Sequence, residues 1–115
     1  MPRIIEIRSY NLKPQRRAEF DRIANAEVRP MLLRHGTDVV AMRASLADEN
    51  AYYLIRAYAD AAERDASQLA FYGSSAWRDG PREAILDCID SYATIVIAAD
   101  EATIDGLRDR PRAAA

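Results

Sequence analysis

The stretch of residues 4–10 constrains the fold most, because in an extended strand its side chains divide into two faces of different polarity. In an extended strand, successive side chains point to opposite faces of the sheet. One face would then carry Ile5, Ile7 and Ser9, and the other would carry Ile4, Glu6, Arg8 and Tyr10. The first face suits an apolar core. The second holds an acid, a base and a phenol on one strand, so it either meets water or lines a polar cavity.

Length and composition are those of one globular domain. The 115 residues are 50% hydrophobic and 30% charged, which is enough for one core and too little for two domains. A net charge of -2 gives no general attraction to nucleic acid or to an acidic membrane surface. No apolar run approaches the roughly 20 residues that span a bilayer, and the start of the chain lacks a signal-peptide pattern. We therefore expect a cytoplasmic protein without nucleic-acid or membrane partners.

Four strands and two main helices are predicted along the chain. The strands are predicted at residues 3–10, 38–45, 51–58 and 91–98, from their extended apolar and alternating patterns. The first helix is predicted over residues 15–33, where apolar side chains recur every three or four positions. Pro30 should kink this helix or restart it, and Gly36 should end it in the left-handed conformation.

The second helix is predicted over residues 61–72, with Asp60 as its cap and Glu63 in the capping-box position. Its small apolar residues are expected to be buried: Ala62, Ala66, Leu69 and Ala70. A further helical stretch opens at Pro81, and the Ser74-Ser75 pair is expected to cap a helix. Residues 99–115 contain few large apolar groups, so we predict a short helix at most, followed by a disordered tail.

The order β-α-β-β-α-β is that of the ferredoxin-like fold, an α+β architecture with two helices on one face of a four-stranded antiparallel sheet. The other face would expose a large patch, made of Ile4, Tyr52, Leu54, Tyr58, Tyr92 and Val96. Soluble proteins seldom leave such a patch uncovered. Two copies that pair sheet to sheet would cover it and would enclose a chamber. We therefore expect a homodimer.

Several short segments resemble the NIPSNAP family of the dimeric alpha-beta barrel superfamily. They are EIRSY at residues 6–10, LKP at residues 12–14, Tyr58, the Glu-Arg pair at residues 63–64 and SAW at residues 75–77. The resemblance covers about residues 3–98. It implies a NIPSNAP-like dimeric alpha-beta barrel domain over residues 1–98, with residues 99–115 as a tail.

The same resemblance implies a homodimer whose two sheets form a barrel. The family offers no settled catalytic mechanism that could be transferred to this chain. The wider superfamily includes cofactor-independent monooxygenases, haem enzymes and small stress-response proteins, so the fold by itself does not choose among these functions.

Glu6, Arg8, Tyr10, Arg56 and Tyr58 form the main candidate ligand site, because neighbouring strands one and three would bring them together across the sheet. Buried charges cost several kcal/mol unless they are paired. A paired Glu–Arg network that lines a cavity could bind a carboxylate or a phenolate, with the tyrosines as proton donors. The alternative is an ion-pair network that stabilises a dimer and has no chemical role.

Trp77 is a further candidate for ligand contact. Together with Phe71 and Tyr72 it lies where the second helix is interrupted. These rings could wall the entrance of a pocket for an aromatic or acyl ligand. They could equally be hydrophobic filling at the edge between helix and sheet, since aromatic side chains dominate ordinary cores.

His35 is the only histidine, so it is a candidate general base if it reaches the chamber. Its place before Gly36 favours a simpler role at the negative end of a helix. One histidine with scattered carboxylates shows no metal-ligand spacing, and Cys88, the only cysteine, is expected to be a buried, unreactive thiol. No glycine-rich phosphate loop is present. We therefore predict neither a metal nor a cofactor.

Three functions follow as hypotheses. The first is binding of a small apolar or aromatic ligand between the sheets of the homodimer, without turnover. The second is a cofactor-independent monooxygenase or isomerase that acts on an enolisable aromatic substrate. Its catalytic candidates are Glu6 or His35 as base, Arg8 or Arg56 as enolate holder, and Tyr58 or Tyr10 as proton donor. The third is a dimeric scaffold without a ligand.

Overall fold

A computed structural model describes residues 2–109 and contains the ferredoxin-like fold that the sequence predicts. The four antiparallel strands are β1 (Arg3–Leu12), β2 (Asp38–Ala44), β3 (Ala51–Tyr58) and β4 (Ile89–Ala99). Their order in the sheet is β2-β3-β1-β4, so β1 lies in the interior between β3 and β4. In this register Glu6 of β1 faces Arg56 of β3 directly. The prediction that strands one and three are neighbours is confirmed.

The first helical region has two α-helices joined by a wider π-helical turn. Helix α1 (Arg17–Ile23) runs into the π-helical segment Ala24–Val28, and α2 (Arg29–Arg34) follows. Pro30 lies in the first turn of α2, where its missing N–H is tolerated. The N–H of Arg29 bonds the carbonyl of Ala24, five residues earlier, which is the π-type bond. The helix therefore continues through Pro30 without a break, and the irregularity lies in the π-helical segment before it and not in a new start at Pro30.

Gly36 ends α2 as predicted. It has a positive φ of 79°, a conformation that glycine adopts without steric cost. The N–H groups of Gly36 and Thr37 bond the carbonyls of Leu33 and Leu32, each at 3.0 Å. This pair of bonds is a Schellman motif, which satisfies the last carbonyls of the helix and turns the chain into β2.

Three further helices lie between β3 and β4: α3 (Ala61–Tyr72), α4 (Ser75–Arg78) and α5 (Arg82–Asp87). The two predicted caps are confirmed, because the side chain of Asp60 accepts from the N–H of Glu63 at 2.8 Å and Ser74 Oγ accepts from the N–H of Trp77 at 3.3 Å. Cys88 is buried, as expected, and burial raises the pKa of its thiol.

The predicted buried face of α3 is wrong. Leu69 is 79% exposed and the alanines beside it are exposed too, whereas Phe71 is buried and Arg64, Gln68 and Tyr72 are half-buried. The physical reason is the charged surface of the sheet that this helix covers. Helix α3 covers the charged part of the sheet around Glu6, so its polar side chains turn inward to pair with that charge.

The helices cover the opposite face of the sheet from the one that we expected. The main core lies between sheet and helices and includes Leu12, Phe20, Ile23, Leu32, Met42, Tyr52, Leu54, Phe71, Trp77 and Ile85. Tyr52, Leu54 and Tyr58 are therefore buried within one chain, and the expected exposed patch at these positions is wrong. Glu6 and its partners also lie on this covered face, so the expected chamber between two sheets does not contain them. Alternation shows which residues share a face, but it does not show which face the helices cover.

The other face carries a smaller core that is only partly covered. Ile104 of helix α6 (Glu101–Leu107) packs there with Ile5, Val40, Ile55, Ala57 and Ala99. Arg108 and Asp109 extend this cover, because they pair with Asp38 and Arg29 respectively. The part of β4 beyond this helix is open, and Ile95 and Ile97 are 58% and 43% exposed.

Parts of two sequence predictions fall on Met1 and residues 110–115, namely the start of the predicted domain and the end of the predicted tail. These positions lie outside the described residues. Within residues 2–109, no helix has both the length and the apolar character needed to cross a membrane.

Candidate ligand-binding site

Glu6 is the centre of a buried charged network on the helix-covered face. Its carboxylate has no exposed surface. One oxygen, Oε1, accepts a hydrogen bond from Nη2 of Arg56, itself 1% exposed, and lies 3.5 Å from Nη2 of Arg8. The other, Oε2, accepts from Nε of Arg64 at 2.6 Å and from the side-chain amide of Gln68. β1, β3 and α3 each supply part of this network, so it ties the helix layer to the sheet.

These partners keep Glu6 ionised. Burial alone raises the pKa of this carboxyl, but the charge and hydrogen bond of Arg56, the hydrogen bond of Gln68 and the charge of Arg8 outweigh it and lower the pKa to about 2. A carboxylate with this pKa is a weak proton acceptor near neutral pH. Its two oxygens are also occupied by donors. Glu6 therefore positions the arginines around it.

Tyr72 joins two of these arginines at the end of α3. Its hydroxyl oxygen accepts from Nη1 of Arg8 at 3.1 Å and from Nη1 of Arg56 at 2.9 Å. Arg8 is held from other sides as well, since its Nε donates to Oγ1 of Thr94 at 3.2 Å and its guanidinium lies 5.0 Å from the ring centre of Tyr92. The latter distance is within the range of cation–π attraction. The side chain of Arg8 is thus fixed in one orientation.

Burial keeps the other two tyrosines of the predicted site neutral. Burial, together with nearby Tyr72, raises the pKa of Tyr10 to about 12. Burial also raises the pKa of Tyr58, whose hydroxyl lies 3.4 Å from the amide nitrogen of Gln68. Both phenols keep their protons at neutral pH.

A cavity of about 490 Å³ lies beside the network, between the sheet and the helices. Arg8, Gln68 and Tyr72 form the polar part of its wall. Much of the rest is apolar, with Phe20, Leu32, Leu54, Trp77, Ile85 and Ile89. The volume is within the range of about 300 to 1,000 Å³ of small-molecule pockets, and the mixture of apolar wall and few polar groups is also typical of them.

The structure divides the sequence-predicted site residues into two sets. Arg8, Tyr10 and Trp77 line the cavity. Glu6, Arg56 and Tyr58 lie in the network behind the wall and do not line it. Trp77 is both core filling and pocket wall, the two alternatives considered for it. It is 7% exposed in the core, and it also contributes to the cavity wall.

His35 lies apart from this site. It is exposed at the end of α2, and its backbone N–H bonds the carbonyl of Met31 at 3.1 Å, as expected for a residue at a helix end. Its ring stands edge-on to Phe71 with 5.3 Å between ring centres. The side chain does not line the cavity.

The sequence profile of the NIPSNAP family matches residues 5–98, which is most of the chain. The chain belongs to the NIPSNAP family. None of the curated proteins matches it.

Solved structures of NIPSNAP proteins have the same fold. A NIPSNAP family protein from Agrobacterium tumefaciens superposes with a TM-score of 0.80 at 12% identity, covering 89% of this chain and 90% of that one. An uncharacterised NIPSNAP domain protein from Burkholderia xenovorans gives a TM-score of 0.75 at 15% identity, with coverages of 85% and 95%. At these identities the similarity establishes the fold alone.

A solved structure that is not named as a NIPSNAP protein has a similar fold. A Bordetella bronchiseptica protein, provisionally named an antibiotic biosynthesis monooxygenase, gives a TM-score of 0.66 at 22% identity, covering 84% of this chain and 96% of that one. The NIPSNAP chain therefore shares its sheet and helix arrangement with proteins that carry an enzyme name.

Sequence reasoning missed the contribution of α3 to the site. Arg64, Gln68 and Tyr72 are spaced four residues apart, so they lie on one face of the helix. This spacing was a usable signal. The alanine and leucine positions of the same helix have helical spacing as well. They favoured the other face, because burial of apolar residues is the commoner outcome.

The described residues 2–109 contain no candidate metal-binding cluster. Across these positions, no three or more His, Cys, Asp and Glu side chains lie close enough together to hold a metal ion.

Proposed function

We propose that this NIPSNAP protein binds a small apolar or aromatic molecule in the cavity between its sheet and its helices. The cavity of about 490 Å³ supports this, because an apolar wall meets a fixed group of hydrogen-bond donors there. Such a combination gives affinity through the apolar surface and orientation through the few polar contacts. The position differs from the predicted chamber between two sheets, while the kind of ligand is the same.

Trp77 provides a direct test, since it is the only tryptophan and lines the cavity. We expect its fluorescence to change in a saturable way when a panel of small aromatic compounds is titrated into the protein. Ala24→Met would place extra atoms into the cavity, which Ala24 lines, and should abolish the response. Ala62→Met on the exposed surface of α3 is the matched control and should leave it unchanged. A panel without any saturable response, in a folded protein, would favour the scaffold function.

We also propose that the protein forms a homodimer, in which the two copies pair through the sheet face that the main helices leave open. Ile95 and Ile97 are exposed on β4, and Ile7, half-buried, faces Ile95 on β1. A second copy placed on this face would remove the apolar surface from water. Light scattering should give twice the chain mass of 12.9 kDa. Ile95→Lys should shift the protein to monomer, whereas Val96→Lys, on the other face of the same strand, should remain dimeric. A monomeric wild type would contradict this part of the proposal.

A second candidate function is catalysis on an enolisable aromatic substrate without a cofactor, as an oxygenase or isomerase. Arg8 and Tyr72 favour it, because a guanidinium and a phenol at a cavity wall can stabilise an enolate oxygen. Glu6 and His35 do not line the cavity, so the substrate would have to enter already as its anion. Oxygen uptake with cyclic 1,3-diketones or hydroxyquinols, abolished in Arg8→Gln, would select this function over simple binding.

A further inference from the structure

We infer that the ligand is an organic monoanion, an aromatic or acyl acid whose carboxylate or enolate head is held by Arg8. The inference rests on the proposed binding function and adds the chemical class of the ligand. It is carried by the balance of charges and of hydrogen-bond donors around the cavity wall.

The charge balance leaves Arg8 without a carboxylate of its own. Three guanidinium groups, of Arg8, Arg56 and Arg64, surround the single buried carboxylate of Glu6. Arg56 takes the closest contact with Glu6, and Arg64 also lies 3.5 Å from the exposed carboxylate of Asp65. Arg8 reaches Glu6 only at 3.5 Å, and its hydrogen bonds go to the neutral hydroxyls of Tyr72 and Thr94. A partly buried cation of this kind is stabilised by an added anion.

Donors also outnumber acceptors in this network. The oxygen of Tyr72 accepts from two arginines, and its own proton has no acceptor within residues 2–109. The Nε of Arg56 also lacks an acceptor among these residues, but it is buried behind the cavity wall, so it adds to the excess of donors in the network without facing the ligand. A carboxylate offers about four lone-pair positions and no donor, so it is the group that such a wall lacks.

A second arginine faces the same cavity from the helix side. Arg82, at the start of α5, lines the cavity, is exposed and has no ion pair within the described part of the chain. The aromatic rings of Tyr10, Phe20, Tyr72, Trp77 and Tyr92 also line the cavity and provide an apolar surface for the body of the ligand. A neutral apolar molecule would use this surface, but it would leave Arg82 without an ion pair and Arg8 with only its shared contact to Glu6. An acid with an apolar body uses both features.

Isothermal titration calorimetry with matched acid and amide pairs tests the inference. The probes are biphenyl-4-carboxylate with biphenyl-4-carboxamide, and decanoate with decanamide, at pH 7. A charged hydrogen bond makes the acid bind about tenfold or more tightly than its amide. Arg8→Gln should reduce this ratio to the fewfold preference that Arg82 supplies while the amide binds as before, and Arg8→Lys should retain more of the preference.

Two further variants provide a test that remains valid if the Arg8 variants fail to fold. Arg82 is exposed and its side chain makes no hydrogen bond or ion pair within residues 2–109, and Arg82→Gln should reduce the acid preference by a fewfold, as expected for a more exposed charge. Arg34→Gln is the matched control, since this exposed arginine lines no part of the cavity, and the acid preference should be unchanged.

The outcomes separate this inference from the proposed function. Equal affinity for acids and amides overturns the anion inference and leaves cavity binding standing. An acid preference that is undiminished in both Arg8→Gln and Arg82→Gln overturns the assignment of the head group to these arginines. Absence of binding for all four probes overturns the inference together with the proposed function.

Discussion

Arg8 on β1 and Tyr72 on α3 are joined by a hydrogen bond of 3.1 Å from the guanidinium Nη1 to the phenolic oxygen. The same oxygen accepts a bond of 2.9 Å from Arg56 on β3. One hydroxyl therefore links a helix to two neighbouring strands, at the boundary between the buried charges and the cavity. The arrangement holds Arg8 at the cavity wall and ties the helix to the sheet.

Tyr72→Phe tests the structural part of this role. It removes the shared acceptor and leaves two guanidinium donors unsatisfied, so we expect a loss of about 1 to 3 kcal/mol in the free energy of unfolding. Urea denaturation measures the loss. Tyr53→Phe is the matched control, because the Tyr53 hydroxyl has no hydrogen bond within residues 2–109, and it should change stability by less than about 0.5 kcal/mol. Equal effects of the two variants would show that the linkage contributes nothing.

Arg56→Met tests the buried ion pair. Glu6 would lose its closest cationic partner while remaining buried, and we expect a loss of about 3 to 5 kcal/mol, as is usual when one member of a buried pair is removed. The comparison is Arg22→Met, which breaks the exposed pair of Arg22 with Glu19 and should cost far less, because water screens this pair. Chemical denaturation of both variants at pH 7 measures the difference. Losses of the same size would contradict the central place of Arg56.

The ionisation of Glu6 predicts a specific dependence of stability on pH. Its pKa is about 2 in the folded protein against an ordinary value of 4.5, so the unfolded chain takes up a proton first as the pH falls. The contribution of Glu6 to stability is therefore complete above pH 4.5 and is lost between pH 4.5 and about 2. It corresponds to about 3 kcal/mol.

Glu6→Gln removes this titration. Unfolding free energies of wild type and variant, measured by urea denaturation from pH 7 to pH 2.5, should converge as the pH falls below 4.5. Curves that stay parallel over this window would show that Glu6 is not held in its ionised form by the arginines.

Two glycines predict opposite effects of the same substitution. Gly36 has a φ of 79°, where a side chain is strained, so Gly36→Ala should cost about 1 to 2 kcal/mol. Gly106 lies within α6, and a Cβ added there meets no atom within 4 Å, so Gly106→Ala should stabilise by about 0.5 to 1 kcal/mol. Thermal unfolding of the two variants should shift in opposite directions. Shifts of the same sign would disagree with the conformation assigned to Gly36.

The sequence by itself determined the strands, their order and which residues share a face. Alternation in residues 4–10 places Glu6, Arg8 and Tyr10 together because the period of a strand is fixed by its backbone. The caps at Asp60 and Ser74 and the stop at Gly36 are also local. Each depends on one side chain or one φ angle, so the surrounding residues suffice to predict it.

Only the tertiary structure decided which face of the sheet the helices cover. Both faces carry apolar residues, such as Ile5 and Ile7 on one and Tyr52 and Leu54 on the other, and alternation is symmetric between them. The orientation of α3 depends on the same choice. Its apolar stripe predicted the wrong buried face, because the charged Glu6 beneath the helix takes Arg64 and Gln68 of this helix as partners for its second oxygen. Long-range pairing of buried charge thus overrode a local pattern, and it placed the candidate site between the sheet and the helices of one chain.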